Sequence, residues 1–250
     1  MKNLFHFYPD AAVDSFGNIL AKTWEKCLVS FHAKKQYHDN QILTIGSGFI
    51  VRASDQVAIV TASRVITDYN RGNGVSMRIG QEYASLDGAK IMQNASQDIA
   101  FIKIPEALAG TSIWPLVMGK RDDAILTSSF MIFGYPETKN RIDIRSKGTA
   151  FSALNIMVHS FEYEKTSGDL LFPYNPKAAY IGAGSALNAS VSLRGLSGAP
   201  VAQLLVVPDN GNIVLRPVGV FEEWRQRAVK KLVACSFSDF SDELDEMDGL

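Results

Sequence analysis

Residues 46–66 read GSGFIVRASDQVAIVTASRVI, and this stretch decides the fold. Gly46, Ser47 and Gly48 open it as a glycine-rich strand. An apolar, β-branched run follows, then the polar turn RASDQ, then a second apolar run ending in Thr61, Ala62 and Ser63. Two such runs joined by a short polar turn specify adjacent strands rather than a helix.

The same grammar extends in both directions. CLVSFHA precedes the stretch, while VSMRIG, AKIMQ and DIAFIKI follow it, separated by DYNRGNG and NASQ, which read as turns. GTSIWPLVMGKRDDA breaks the rhythm and reads as a connector. A second set of strands then begins: ILTSSFMIFGYP, SKGTAFSAL, NIMVHSFEYE, LRGLSGAPVAQLLVV, NIVLRPVGVFEE and KLVACSF. Residues 166–188 are less regular and read as a surface excursion. Many short strands without alternating helices predict antiparallel barrels or a sandwich, not an α/β sheet. Helical spacing is confined to the two ends. Val13, Phe16, Ile19, Leu20 and Trp24 predict a leading helix over 11–26, and Phe240, Leu244 and Met247 predict a short acidic helix over 239–250.

Composition narrows the function classes. The 250 residues suffice for one large domain or two small lobes. A net charge of −1 gives no electrostatic reason to expect nucleic acid or an anionic membrane as partner. No apolar run approaches the roughly 20 residues that span a bilayer. The opening MKNLFHFYPDAAV lacks the cationic and apolar blocks of a secretory signal, so a cytoplasmic protein is expected. Cys27 and Cys235 are then expected as buried thiols rather than a disulfide. No metal-ligating constellation and no phosphate-cradling loop stands out, so no cofactor is expected.

A serine stands between glycines in LRGLSGAPV, with Ser197 at its centre. Alone the motif is weak, and Ala199 stands where the α/β-hydrolase elbow requires its last glycine. Read in order with GSGFIVRASDQVAIVTASRVI and SQDIAFIKI, it gains meaning. Together these stretches resemble the chymotrypsin-like (trypsin-like) serine endopeptidases, in which G-[ST]-G-F leads to T-A-A-H, then D-[IL]-A, then G-x-S-G-[GA]-P. MIFGYP at 131–136 resembles the opening of the family's second barrel in its bacterial branches. PVGVFEE resembles the strand that borders the substrate groove. The resemblance spans residues 20–244 and implies two antiparallel six-stranded β-barrels, expected over 26–108 and 122–238, with a groove between them for a peptide or protein ligand.

The resemblance also implies roles. Ser197 matches the nucleophile, the amides of Gly195 and Ser197 match the oxyanion hole, and Asp98 matches the carboxylate that orients the base. Val220 and Phe221 match the groove strand, and Val191 falls near the floor of the specificity pocket. Leu196 stands where many secreted members carry an aspartate that pairs with a new N-terminus after activation. The base should be the fourth residue of T-A-A-H, but the chain reads Thr61, Ala62, Ser63, Arg64. A guanidinium has five donors, no acceptor and a pKa above about 12, so it cannot take a proton from Ser197.

Two readings follow. In the first, the chain is a protease homologue that is inactive or severely impaired and binds peptide or protein in its groove. In the second, it is an active serine endopeptidase with a non-standard base. None of His6, His32, His38 and His159 falls in a stretch that the resemblance places beside Ser197. Arg64 itself is expected either to form an ion pair with Asp98 or to swing into solvent.

Overall fold

The computed structural model describes residues 5–6, 25–34, 41–53, 56–71, 74–105, 108, 115–117, 125–137, 140–143, 153–174, 180–181, 185–186, 192–209, 212–225 and 230–237. The predicted leading helix lies outside them apart from a single 3-10 turn at Glu25–Cys27, and the predicted C-terminal helix lies wholly outside them. Most of SKGTAFSAL also lies outside.

Two antiparallel sheets carry the fold. The first is built from β1 (Leu28–Lys34), β2 (Gln41–Ala53), β3 (Gln56–Thr61), β4 (Gly74–Ile79), β5 (Glu82–Ala84), β6 (Ile91–Asn94) and β7 (Ile99–Lys103). Its order is β5-β4-β1-β2-β3-β7-β6. The second contains β8 (Ile125–Gly134), β9 (Leu154–His159), β10 (Glu162–Glu164), β11 (Asp169–Pro173), β12 (Pro200–Val207), β13 (Asn212–Arg225) and β14 (Lys231–Ser236), in the order β9-β8-β12-β13-β14-β11-β10. Each continuous path therefore has seven strands among the described residues, not the expected six. Short hairpin strands such as β5 and β10, three residues each, add to the outer ends.

Three further departures from the sequence reading have physical causes. A helix, α1 (Ser63–Arg71), follows β3 where DYNRGNG read as a turn. Val65, Ile66 and Tyr69 are buried at i, i+1 and i+4, so one helix face closes over the first sheet. The segment expected as a surface excursion supplies β11, because Leu170 and Phe172 alternate into the core and pair the strand with β14. Within the connector, Leu116–Val117 pairs with β2 in parallel, and Leu116 is buried.

The two halves are sewn together by strands with both faces covered. Along β8, Phe130 and Ile132 join one hydrophobic cluster, while Met131 and Phe133 join the cluster dominated by the first sheet. Period-two alternation makes this possible: each face of β8 packs on a different core. β13 does the same with Val220 and Phe221, as does β14 with Cys235 and Ala234. Fully buried phenylalanines and isoleucines such as Phe31, Phe49, Ile59 and Phe221 contribute about 1.5–3 kcal/mol each by leaving water. Cys27 and Cys235 are buried thiols that form no disulfide. No helix among the described residues is long and apolar enough to cross a membrane.

Candidate functional site

The site is assembled where the loop before β12 meets the first sheet. Gly195 and Gly198 have φ of +86° and +87°, in the left-handed region that glycine tolerates best. Space is equally restrictive at Gly198. A Cβ there would lie 2.1 Å from the Ser47 carbonyl oxygen and 2.2 Å from Thr61 Oγ1. This close approach lets the Ser47 amide donate to the Ser197 carbonyl at 2.8 Å, joining the two halves by backbone.

Ser47 does more than approach. Its Oγ donates to the Gly195 carbonyl at 2.7 Å and accepts from the Tyr135 amide at 2.9 Å. From the outer side, the Glu137 amide donates to the Arg194 carbonyl at 2.7 Å. The peptide between Arg194 and Gly195 is planar and trans, so holding its C=O outward turns the Gly195 N–H the opposite way. Neither the Gly195 nor the Ser197 amide donates to another described residue. Leu196, between them, is fully buried in the second core cluster, where an aspartate would be costly.

Asp98 sits at the mouth of β7 with φ of +51°, a conformation that aspartate adopts more readily than most residues. Its carbonyl accepts from the Ser63 amide at 3.1 Å, and its Oδ1 accepts from the Arg64 amide at 2.9 Å. These are the first amides of α1, which have no partner inside the helix. Oδ2 accepts from Arg64 Nε at 2.5 Å. Arg64 and Asp98 are thus an ion pair, with side chains 39% and 21% exposed. Two of the three bonds to Asp98 come from backbone, so its place in the fold does not depend on catalysis.

Arg64 has a second carboxylate neighbour that sequence reasoning missed. Its Nη2 lies 3.6 Å from Glu222 Oε2, on a side chain only 15% exposed. Burial pushes the Glu222 carboxyl up to about 7, with Asp169 adding to the rise and Arg64 opposing it. The same residue meets Ser197 through its backbone: Ser197 Oγ donates to the Glu222 carbonyl at 2.9 Å. Ser197, Arg64 and Asp98, drawn from three distant stretches, therefore converge through Glu222. Ser47 was also missed as a site residue, although GSGF was quoted for it.

Other expectations are corrected or displaced. Val220 and Phe221, predicted to line the groove, are 0% and 1% exposed, because alternation sends one side chain into each core. The bulge after Phe221 shifts the register, leaving Glu223 exposed and Glu222 partly exposed beside Arg64, while Trp224 packs against the second core cluster. Val191 lies outside the described residues. Buried His32 has its ring nitrogens 2.9 Å from Ser30 Oγ and 3.5 Å from Thr44 Oγ1, and burial pushes it down to about 4. His159 pairs with Ser129 at the surface. The side chains of His6 and His38 lie outside the described residues.

Two covered sheets, an α1 turn capped by an aspartate and a serine loop with outward-clamped glycine peptides make up the fold of the chymotrypsin-like serine proteases. Known structures bear this out. The active form of the Rv3671c protease from M. tuberculosis matches with a TM-score of 0.53 and 16% identity, over 98% of this chain and 90% of that one. The serine endoprotease from Yersinia pestis matches with a TM-score of 0.53 and 13% identity, over 92% of this chain and 65% of that one. At these identities the likeness is one of fold. No family model and no curated protein matches the sequence.

Proposed function

We propose that this chain is a serine protease homologue that binds peptide or protein along the groove between its barrels, taken as 26–108 and 122–238, without useful peptidase activity. One observation carries the reading. The position of the general base holds a guanidinium engaged by Asp98, while the Ser197 hydroxyl spends its proton on a backbone carbonyl. A serine becomes a nucleophile only when an acceptor takes that proton. Loss of the base from such a triad costs on the order of a million-fold in turnover.

Peptide binding is supported by the edge of β13. Its ladder with β12 ends at the pair Pro200–Val220, while its ladder with β14 continues to Arg225–Lys231. Among the described residues, Glu223, Trp224 and Arg225 therefore have one side without a ladder partner, the geometry that adds an extended peptide as a further strand. Cytoplasmic residence belongs to the same reading, supported by the two buried thiols that form no disulfide.

A serine-directed phosphonate followed by intact mass is the test. The expected result is no adduct on the wild type and a single adduct at Ser197 in Arg64→His. Stoichiometric labelling of the wild type would overturn the proposal. It would favour the alternative, an active endopeptidase with a non-standard base. Glu222 gives that alternative its one specific support, because its carboxyl titrates near neutrality beside Arg64. Loss of such labelling in Glu222→Gln would then identify the base.

A further inference from the structure

We propose that the Ser197 corner captures the C-terminal carboxylate of a bound peptide, held between the Gly195 and Ser197 amides and the Arg64 guanidinium. The inference rests on the reading of the groove as a peptide site and names the class of peptide it takes: one that ends there rather than passing through.

Three observations converge on an anion. The Gly195 and Ser197 amides donate to no other described residue, and the clamp on the Arg194 carbonyl fixes the first of them on the opposite side of its peptide. Paired backbone amides beside a left-handed glycine are donors suited to a carboxylate oxygen. Arg64, more than a third exposed, uses Nε on Asp98 and approaches Glu222 with Nη2, while Nη1 has no hydrogen-bond or ion-pair partner among the described residues. A guanidinium keeps its charge at every working pH and pairs well with carboxylates. A histidine at position 64 would offer neutral imidazole at pH 7, suited to catalysis and poorly suited to holding an anion.

The third observation is directional. The edge of β13 at Glu223–Arg225, which has no ladder partner on that side among the described residues, follows directly on Glu222, whose carbonyl holds Ser197 Oγ. A strand added at that edge would run its end into the amide pair. A free α-carboxylate there meets two N–H donors and a cation, whereas a continuing peptide bond offers only a carbonyl oxygen and leaves Arg64 without an anion. Against the ligand stand the charges of Asp98 and Glu222. The Asp98 carboxylate is already engaged by two donors of Arg64, so Glu222 is the group whose removal should strengthen binding.

The test uses the ¹⁵N-labelled full chain and two probes: an N-acetylated degenerate hexapeptide pool with free C-terminal carboxylates, and the same pool amidated. The carboxylate pool should bind about tenfold more tightly and move the Gly195 and Ser197 amide resonances most, since one charge-assisted hydrogen-bond set separates the two pools. Arg64→Gln should bring the two pools within about twofold of each other, and Glu222→Gln, which keeps Arg64, should widen the gap. Equal binding of both pools by the wild type overturns the carboxylate inference and leaves the groove reading standing. A preference that survives Arg64→Gln, or narrows in Glu222→Gln, also overturns it. Failure of both pools to bind sinks the groove reading with it.

Discussion

Replacing Glu222 by glutamine should change how stability depends on pH, and the direction follows from the site. In the fold the carboxyl is held at about 7, against an ordinary value of 4.5 in the unfolded chain. Between those values the native state binds a proton that the unfolded state does not, so stability falls as pH rises from about 4.5 to 7. Complete isolation from water would make this about 3 kcal/mol. The partial exposure of the side chain, 15%, reduces it to about 1–2 kcal/mol. His32 works in the opposite sense. Burial, with Arg78 second, pushes it to about 4 from 6.5, so the unfolded state binds the extra proton and stability rises with pH across that interval. The two trends overlap in the wild type and hide one another. The difference between Glu222→Gln and wild type removes His32 and isolates Glu222. Urea melts followed by circular dichroism at pH 4.5, 6, 7 and 8 should show the variant gaining about 1–2 kcal/mol on the wild type from the lowest pH to the highest. Parallel curves would refute the reasoning. A variant that loses ground as pH rises would show that Arg64 holds Glu222 ionised against burial.

Three further substitutions probe the scaffold of the site. Gly198→Ala should destabilise by about 2–4 kcal/mol in denaturant melts, because its Cβ would meet the Ser47 carbonyl and Thr61 Oγ1 at a positive φ. Asp98→Ala should cost about 1–2 kcal/mol, since the Arg64 amide loses its acceptor and Arg64 Nε its partner while the backbone carbonyl at 98 still accepts from Ser63, whereas Arg64→Ala should cost less than about 1 kcal/mol at its half-exposed position. A larger loss for Arg64→Ala than for Asp98→Ala, measured in the same melts, would reverse that assignment. Ser47→Ala should cost about 1–3 kcal/mol and shift the Leu196 and Tyr135 amide resonances, because it strips the Gly195 carbonyl, on the peptide of the Leu196 amide, and the Tyr135 amide of their shared partner.

Much of this was legible in the sequence because strand-forming runs and turn residues are local signals. GSGF, DIA and GLSGAP are each weak alone but point to one fold when read in order, and Arg64 in place of the expected histidine needs only its position to be noticed. What stayed hidden was set by tertiary contact. Val220 and Phe221 look like a groove strand until both faces of β13 are seen to be covered. Residues 63–71 follow directly on a strand, and their helix starts because Asp98, thirty-four residues past Arg64, supplies acceptors for its first amides. Glu222 carries no motif, and its weight comes from burial beside a guanidinium that arrives from the other sheet. The signal available was a charged residue directly after two strongly apolar ones, within a strand predicted to border the groove.

The outward clamp on the Arg194–Gly195 peptide has a consequence for thermodynamics. The Glu137 amide holds the Arg194 carbonyl and Ser47 Oγ holds the Gly195 carbonyl, so the donors are aimed before any ligand arrives. A ligand that docks there meets a site whose ordering cost was met during folding, as a well-designed receptor is rigid before it binds. A chain of this fold without a general base would still keep a low entropic penalty for recognition, because Glu137 and Ser47, which hold these carbonyls, stand apart from position 64.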